Sequence, residues 1–250
     1  RPPRRRLRLE RLPGRRDDPD KRTASSYIWL MQIDIFSDPI CPWCFIGKKR
    51  LDAARKLRPG IDLQIRWRAF QLNPDMPEAG MDRQTYLNVK FGGPDRAQEL
   101  YGHIRRVGED VGIPFRFDEI PRTPNTLAAH RLVRYAQQPE IDKAEALVEA
   151  LFDAYFLKGR DIGDHEVLAA IADGVGIPKA DALALLDGAD YAEEIRAEDH
   201  YARRLGIGGV PCFIVNGKYA LSGAQEPESF LPLYDMAEQE DLETAPKSAG

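Results

Sequence analysis

The sequence predicts an α/β fold in which one four-stranded mixed sheet is built from both ends of the chain, with a large all-helical block inserted between them. Three observations carry that expectation. A strand–helix–strand run opens the ordered part, helical periodicity fills the middle, and strand character returns only near the C-terminal end. Neither flanking piece can bury its sheet face alone, so the simplest arrangement joins them into one layer.

Each element follows from its local chemistry. Residues 31–37 (MQIDIFS) form a short β-rich run and read as the first strand. Residues 44–57 show helical spacing through Phe45, Leu51 and Ala54 and stop at Pro59-Gly60. Residues 61–72 (IDLQIRWRAFQL) alternate and are rich in β formers, giving a second strand. A strand, helix and strand in so short a span form a βαβ unit with parallel strands. From residue 84 to residue 205 the period is helical. Ala97, Leu100, Ile104 and Val107 make one apolar stripe, and Ala144, Leu147, Val148, Leu151 and Tyr155 another. Gly159, Gly174 and Gly188 punctuate helix ends, and Asp164 is a candidate N-cap. Residues 212–216 (CFIVN), the Asn216-Gly217 pair and residues 219–222 (YALS) read as a hairpin with a type I′ turn, followed by a helix over residues 227–238. The expected division is a disordered basic leader at 1–30, a first sheet part at 31–82, a helical insertion at 83–205, a second sheet part at 206–240 and a frayed tail at 241–250.

Composition narrows the function classes. The 250 residues are 43% hydrophobic and 30% charged, values of a globular chain long enough to bury a core without disulfide staples. No apolar run approaches the ~20 residues of a membrane-spanning helix, so no membrane partner is expected. The basic side chains cluster in the leader, which leaves the rest of the chain acidic and ill-suited to nucleic acid. The leader has no apolar stretch of signal-peptide length and too much Asp for a typical transit peptide; it reads as a solvated extension ahead of Met31. A cytoplasmic, reducing compartment is therefore expected, where a retained cysteine pair is more often catalytic or metal-binding than structural.

The chemistry concentrates at Cys41-Pro42-Trp43-Cys44, between the first strand and the first helix. There Cys41 meets the unpaired N–H groups and positive dipole end of the helix, which favour the thiolate, the reactive form. Cys44 lies one turn on and can close a disulfide with Cys41, while Pro42 suits a first helical turn. Half a zinc site would need further ligands, and only Cys212 and four histidines remain with no matching spacing, so no metal is expected. Gly208-Gly209-Val210-Pro211 precedes the third strand, where an X–Pro bond can adopt the cis form. The Val210 backbone would then offer its N–H and C=O to an extended substrate segment.

Ser37-Asp38-Pro39 leading into CPWC, Val210-Pro211 before a strand, and Ser222-Gly223-Ala224-Gln225 resemble the DsbA-like thioredoxin-fold family, most nearly its cytosolic FrnE-type branch, over about residues 31–240. The resemblance implies a thioredoxin core with a helical insertion and thiol–disulfide exchange. It makes Cys41 the nucleophile, Cys44 the resolving cysteine and Pro211 the cis-proline. Cys212 departs from the expected pattern and reads first as a small buried hydrophobe, with a third redox thiol as the alternative. A second departure is that the additional cysteine pair of some FrnE-type proteins is impossible here. Asn125 and His130 (NTLAAHRL) also look family-like. His130 is a candidate for lining the cleft, although a lone histidine is more often structural. Asp38 is a candidate tuning group, but a carboxylate there would disfavour a thiolate. The expected activity is disulfide exchange with protein or small-molecule thiols, by a monomer or a dimer. It needs no cofactor beyond the dithiol, and glutathione is a candidate co-substrate. The alternatives are a glutathione-dependent isomerase or transferase of the 2-hydroxychromene-2-carboxylate isomerase or kappa type, whose members generally have serine at the Cys41 position, and a non-catalytic peptide-binding chaperone.

Overall fold

A computed structural model describes residues 29–244. The first strand, β1 (Trp29–Ser37), is joined by α1 (Pro42–Leu57) to β2 (Ile61–Ala69), and β1 and β2 pair in parallel from Trp29↔Ile61 to Ser37↔Ala69. The chain returns much later with β5 (Cys212–Val215) and β6 (Tyr219–Ser222). The sheet order is β2-β1-β5-β6, with β5 antiparallel to both β1 and β6. The expected four-stranded mixed sheet is thus present, closed by the Ile33↔Val215 to Phe36↔Cys212 register. Asn216 and Gly217 both have positive φ, 50° and 72°, the geometry that an Asn-Gly type I′ turn requires.

Boundaries differ from the sequence reading at three places, each for a physical reason. First, β1 begins at Trp29 rather than Met31, because Trp29 and Leu30 already pair with Ile61 and Asp62. The rest of the expected leader, residues 1–28, lies outside the described residues. Second, β2 ends at Ala69 instead of continuing to residue 72. Phe70 N–H still donates to the Ser37 carbonyl at 3.2 Å, but the two amides after it turn to carboxylates: Gln71 N–H donates to Asp199 Oδ1 at 2.8 Å and Leu72 N–H to Asp38 Oδ2 at 2.7 Å. Leu72 N–H, bonded to the Asp38 side chain instead of a main-chain carbonyl, cannot carry the ladder with β1 further. Third, residues 227–230 form a 3₁₀ turn, and the last helix, α9 (Leu231–Thr244), runs beyond residue 240, so the expected tail begins with a helical turn. Residues 245–250 lie outside the described residues.

Between β2 and β5 the chain is mostly helical: α2 (Arg83–Phe91), α3 (Pro94–Asp110), α4 (Leu127–Ala136), α5 (Ala144–Lys158), α6 (His165–Gly174), α7 (Lys179–Asp187) and α8 (Ala192–Arg204). It is not wholly helical. A two-residue ribbon pairs β3 (Met81–Asp82) with β4 (Arg122–Thr123), too short to leave a period in the sequence. Asp164 caps α6 by accepting from Val167 N–H at 2.9 Å, as its position predicts. In α3 the stripe narrows: Ala97 and Ile104 are buried, but Leu100 is 37% exposed.

Aromatic packing fixes the insertion on α1. Phe45 of α1 stacks on Phe152 of α5 with ring centroids 5.0 Å apart and meets Phe115 edge-on at 6.0 Å. Phe156 and Phe117 complete the cluster. Burying each such ring is worth roughly 1.5–3 kcal/mol, and each ring pair about 0.5–1.5 kcal/mol more. At the edge of this interface Lys48 of α1 bridges Asp52 at 2.7 Å and Glu149 of α5 at 2.8 Å. The start of α1 is therefore held between sheet and insertion.

Candidate active site

Cys41 is the N-cap of α1, in extended conformation (φ −90°, ψ 112°), with Pro42 opening the helix. Pro42 has no N–H to leave unpaired, so it costs nothing at that position. The Cys41 amide donates to the Asp38 carbonyl at 2.9 Å, and the Cys41 carbonyl accepts from Cys44 at 3.0 Å. No acidic residue lies in the first turn of α1, so nothing there neutralises its positive end. The two residues between the cysteines bring the Cys44 sulfur beside that of Cys41. Both thiols are free and nearly enclosed, Cys41 at 4% exposure and Cys44 at 2%.

Val210 and Pro211 stand opposite. Their peptide is cis, and the Val210 carbonyl accepts from Cys41 Sγ at 3.5 Å, from a residue 169 positions away in the chain. The Val210 N–H makes no hydrogen bond among the described residues. Pro211 is seated on Gly47: a Cβ at position 47 would come within 2.8 Å of Pro211 Cγ. Only glycine lets the proline loop approach α1 this closely. Trp43, half-buried, forms one wall, its ring 5.9 Å from that of His103 on α3.

The two sulfurs are electrostatically unequal. Burial, reinforced by the neighbouring Cys41 sulfur, pushes the Cys44 thiol well above its usual range, although the Ser37 hydroxyl and the Asp38 amide directed at it work the other way. Cys44 therefore keeps its proton, beside a Cys41 that caps the start of α1. The arrangement can open a disulfide with Cys41 and then close one between Cys41 and Cys44.

The remaining sequence candidates fall into separate places. Asp38 is fully buried, and its carboxylate turns to the loop after β2, accepting from Leu72 N–H and, at 3.3 Å, from Ile40 N–H. Burial pushes its pKa up to about 7. His130 does not line an open cleft. It is buried behind Asp38, with Nε2 3.9 Å from Asp38 Oδ1, and burial lowers its pKa to about 4. Asn125 joins two loops: its Oδ1 accepts from Leu127 N–H at 2.9 Å and its Nδ2 donates to the Met76 carbonyl at 2.7 Å, fixing the start of α4. Cys212 is also buried, at 3%, but in a second small cluster with Phe36, Phe70 and Ala202, on the sheet face opposite Phe213 and α1. Its Sγ lies 4.0 Å from Ser222 Oγ. Sequence reasoning had no separate reading for Ser37 or Gly47. The glycine inside a helix, three residues after the second cysteine, was the available signal for the latter.

A mixed sheet with two cysteines at the start of its first helix and a cis-proline facing that helix defines a thioredoxin-fold protein. The chain belongs to the DSBA-like thioredoxin domain family, whose model matches residues 32–235. It is similar to the crystal structure of a probable DsbA oxidoreductase, SCO1869, from Streptomyces coelicolor, at 30% identity and a TM-score of 0.76, covering 88% of this chain and 94% of that one. Among curated proteins it matches YwbO of Bacillus subtilis (strain 168), itself uncharacterised, at 27% identity over 80% of this chain and 94% of YwbO. The fold also resembles that of the cytosolic disulfide reductase DsbM from Pseudomonas aeruginosa, at 19% identity and a TM-score of 0.59, over 84% of this chain and 99% of DsbM. Among the described residues no helix is long and apolar enough to cross a membrane.

Proposed function

We propose that the protein is a cytoplasmic thiol–disulfide oxidoreductase that exchanges disulfides with protein or small-molecule thiols through Cys41 and Cys44. The observation that carries this reading is the placement of the two sulfurs side by side, with Cys41 at the helix start against the Val210 carbonyl. The Cys41 thiolate attacks a substrate disulfide, forming a Cys41–substrate bond and expelling one substrate thiolate. Cys44 then attacks Cys41 Sγ, loses its proton, closes the Cys41–Cys44 disulfide and releases the second substrate thiol. The substrate gains two electrons and the dithiol loses two; the reverse sequence oxidises a substrate dithiol. The free Val210 N–H, beside a carbonyl that already meets Cys41, suits an extended substrate segment laid against the proline loop.

Glutathione is the small thiol we assign as co-substrate, in keeping with the DsbM fold also being described with GSH. The FrnE-type branch is part of the same reading and rests on Ser37-Asp38-Pro39 running into the CPWC sequence. The isomerase alternative needs no second cysteine, so an intact Cys41–Cys44 pair favours exchange. A redox titration with free-thiol counting tests the proposal. Cys41 and Cys44 should cycle together as a two-electron couple while Cys212 stays reduced, and insulin reduction should require both. Isomerase turnover that survives loss of Cys44, without insulin reduction, would overturn it.

A further inference from the structure

The sheet face turned away from α1 is only partly covered. A groove of about 840 Å³ runs there between the end of α8, the loop at 205–210 and strands β1, β5 and β6. Phe36, Ile214 and Ala220 lie on its floor, placed on one face by the strand register. Tyr201 and Leu205, 49% and 51% exposed, form one wall. Single exposed apolar side chains are ordinary on a protein surface. Two of them above an apolar floor in one groove mark a surface that binds something.

Three observations identify the occupant. First, the groove begins beside the reactive sulfur, because Val210, whose carbonyl meets Cys41 Sγ at 3.5 Å, is also one of its lining residues. Second, main-chain donors run along this edge. The N–H groups of Gly208, Gly209 and Val210 make no hydrogen bond among the described residues, and all three residues line the groove. The carbonyls of an extended chain can match such a row. Third, the charges that line the groove are already taken. Asp34 accepts from Gln32 Nε2 and Arg68 Nε, each at 3.0 Å, Arg68 also donates to Glu198 at 2.6 Å, and Lys218 donates to Glu240. A charged ligand would find no free partner there, and burying an unpaired charge is costly.

We propose that this groove binds an extended, uncharged stretch of polypeptide next to the substrate's cysteine, so that the preferred substrate is an unfolded protein segment with apolar side chains. The proposal deepens the exchange reading and rests on Cys41 as the attacking sulfur. From Val210 the segment runs along Gly209 and Gly208, advancing about 3.3 Å per residue, and its alternate side chains fall between the Ile214 floor and the Leu205 wall.

Two heptapeptides test this, one with Leu-Phe-Leu on each side of a central cysteine and one with Ser-Gly-Ser, each as its disulfide-linked dimer. The measured quantity is the second-order rate at which each dimer oxidises the reduced protein. The apolar dimer should react at least about tenfold faster, the low end for an apolar group in a fitted pocket. In Leu205→Glu and Ala220→Glu, which place a carboxylate on the wall and on the floor, the ratio of the two rates should fall towards one. Equal rates in the unsubstituted protein, or a ratio that neither variant changes, would overturn the proposal. Both positions are exposed, so the packed core is untouched by either change. Fluorescence anisotropy of labelled peptides with serine in place of cysteine reads the groove without thiol chemistry, and the apolar peptide should bind at least about tenfold more tightly. Binding with that preference but no oxidation by either dimer would support the groove and overturn the exchange reading alone. Sedimentation that shows a dimer of this chain dispersed by Leu205→Glu would give the groove to a second copy and overturn the peptide assignment.

Discussion

The two faces of the sheet hold three buried thiols in different settings. On the face covered by α1, Cys41 and Cys44 sit side by side, with a helix start, a carbonyl and a hydroxyl around them. On the other face Cys212 is buried as deeply, in a cluster with Phe36, Phe70 and Ala202, with the Ser222 hydroxyl 4.0 Å from its sulfur. Burial pushes both the Cys212 and Cys44 thiols upward. What separates the faces is the company each sulfur keeps. Cys44 has a sulfur neighbour poised at a helix N-terminus, and Cys212 has none. Burial by itself makes a thiol inert, and a second sulfur held at a helix start makes it useful.

That contrast can be broken most severely at Cys41. Cys41→Ser should reduce insulin-reduction turnover by at least roughly a thousandfold, because the attacking atom is gone. Cys44→Ser should reduce turnover about a hundredfold by removing the intramolecular second attack, and mass spectrometry should show a substrate adduct retained on Cys41. A rate unaffected by either change would erase the distinction between the faces.

Asp38 sharpens the comparison through pH. A carboxyl raised to about 7 by burial stabilises the fold below the ordinary carboxylate range near pH 4, and that contribution is lost as pH rises through 7. His130, lowered to about 4, contributes oppositely: its share is present above pH ~6.5 and lost as pH falls towards 4. Asp38→Asn removes the first effect. Relative to the unsubstituted protein it should gain about 3 kcal/mol between pH 5 and pH 8, two pH units at about 1.4 kcal/mol each, measured by urea unfolding at both values.

Gly47→Ala should cost about 1–3 kcal/mol and slow exchange, since the new methyl must push Pro211 away from α1. Smallest of all, Cys212→Ala should cost less than about 1.5 kcal/mol and leave the exchange rate unchanged. A loss of exchange in that variant would place Cys212 in the chemistry and dissolve the contrast.

Much of this was legible because it is local. The CPWC run between a β-rich stretch and a helical one, the Asn216-Gly217 turn and the Asp164 cap each depend on a few adjacent residues whose chemistry allows little else. What escaped depends on partners far along the chain. The end of β2 is set by Asp38, which captures the amide of Leu72, 34 residues away. The approach of His130 to Asp38 joins the start of α4 to the loop before α1. Leu100 keeps helical spacing yet points outward, because the period of a stripe says which residues share a face and not how wide the neighbouring surface is.

The sheet's own connectivity has a consequence during synthesis. Cys41 emerges 169 residues ahead of Val210, a lag of roughly 10–30 s at typical translation speeds. For that interval the nascent chain can own a helix beginning with a thiol while β5 and the proline loop, which shelter it, are still unmade. An early-made thiol waiting for a late-made guard is vulnerable to stray oxidants and to other nascent thiols. The chain thus has its greatest need of a reducing bath before it is finished.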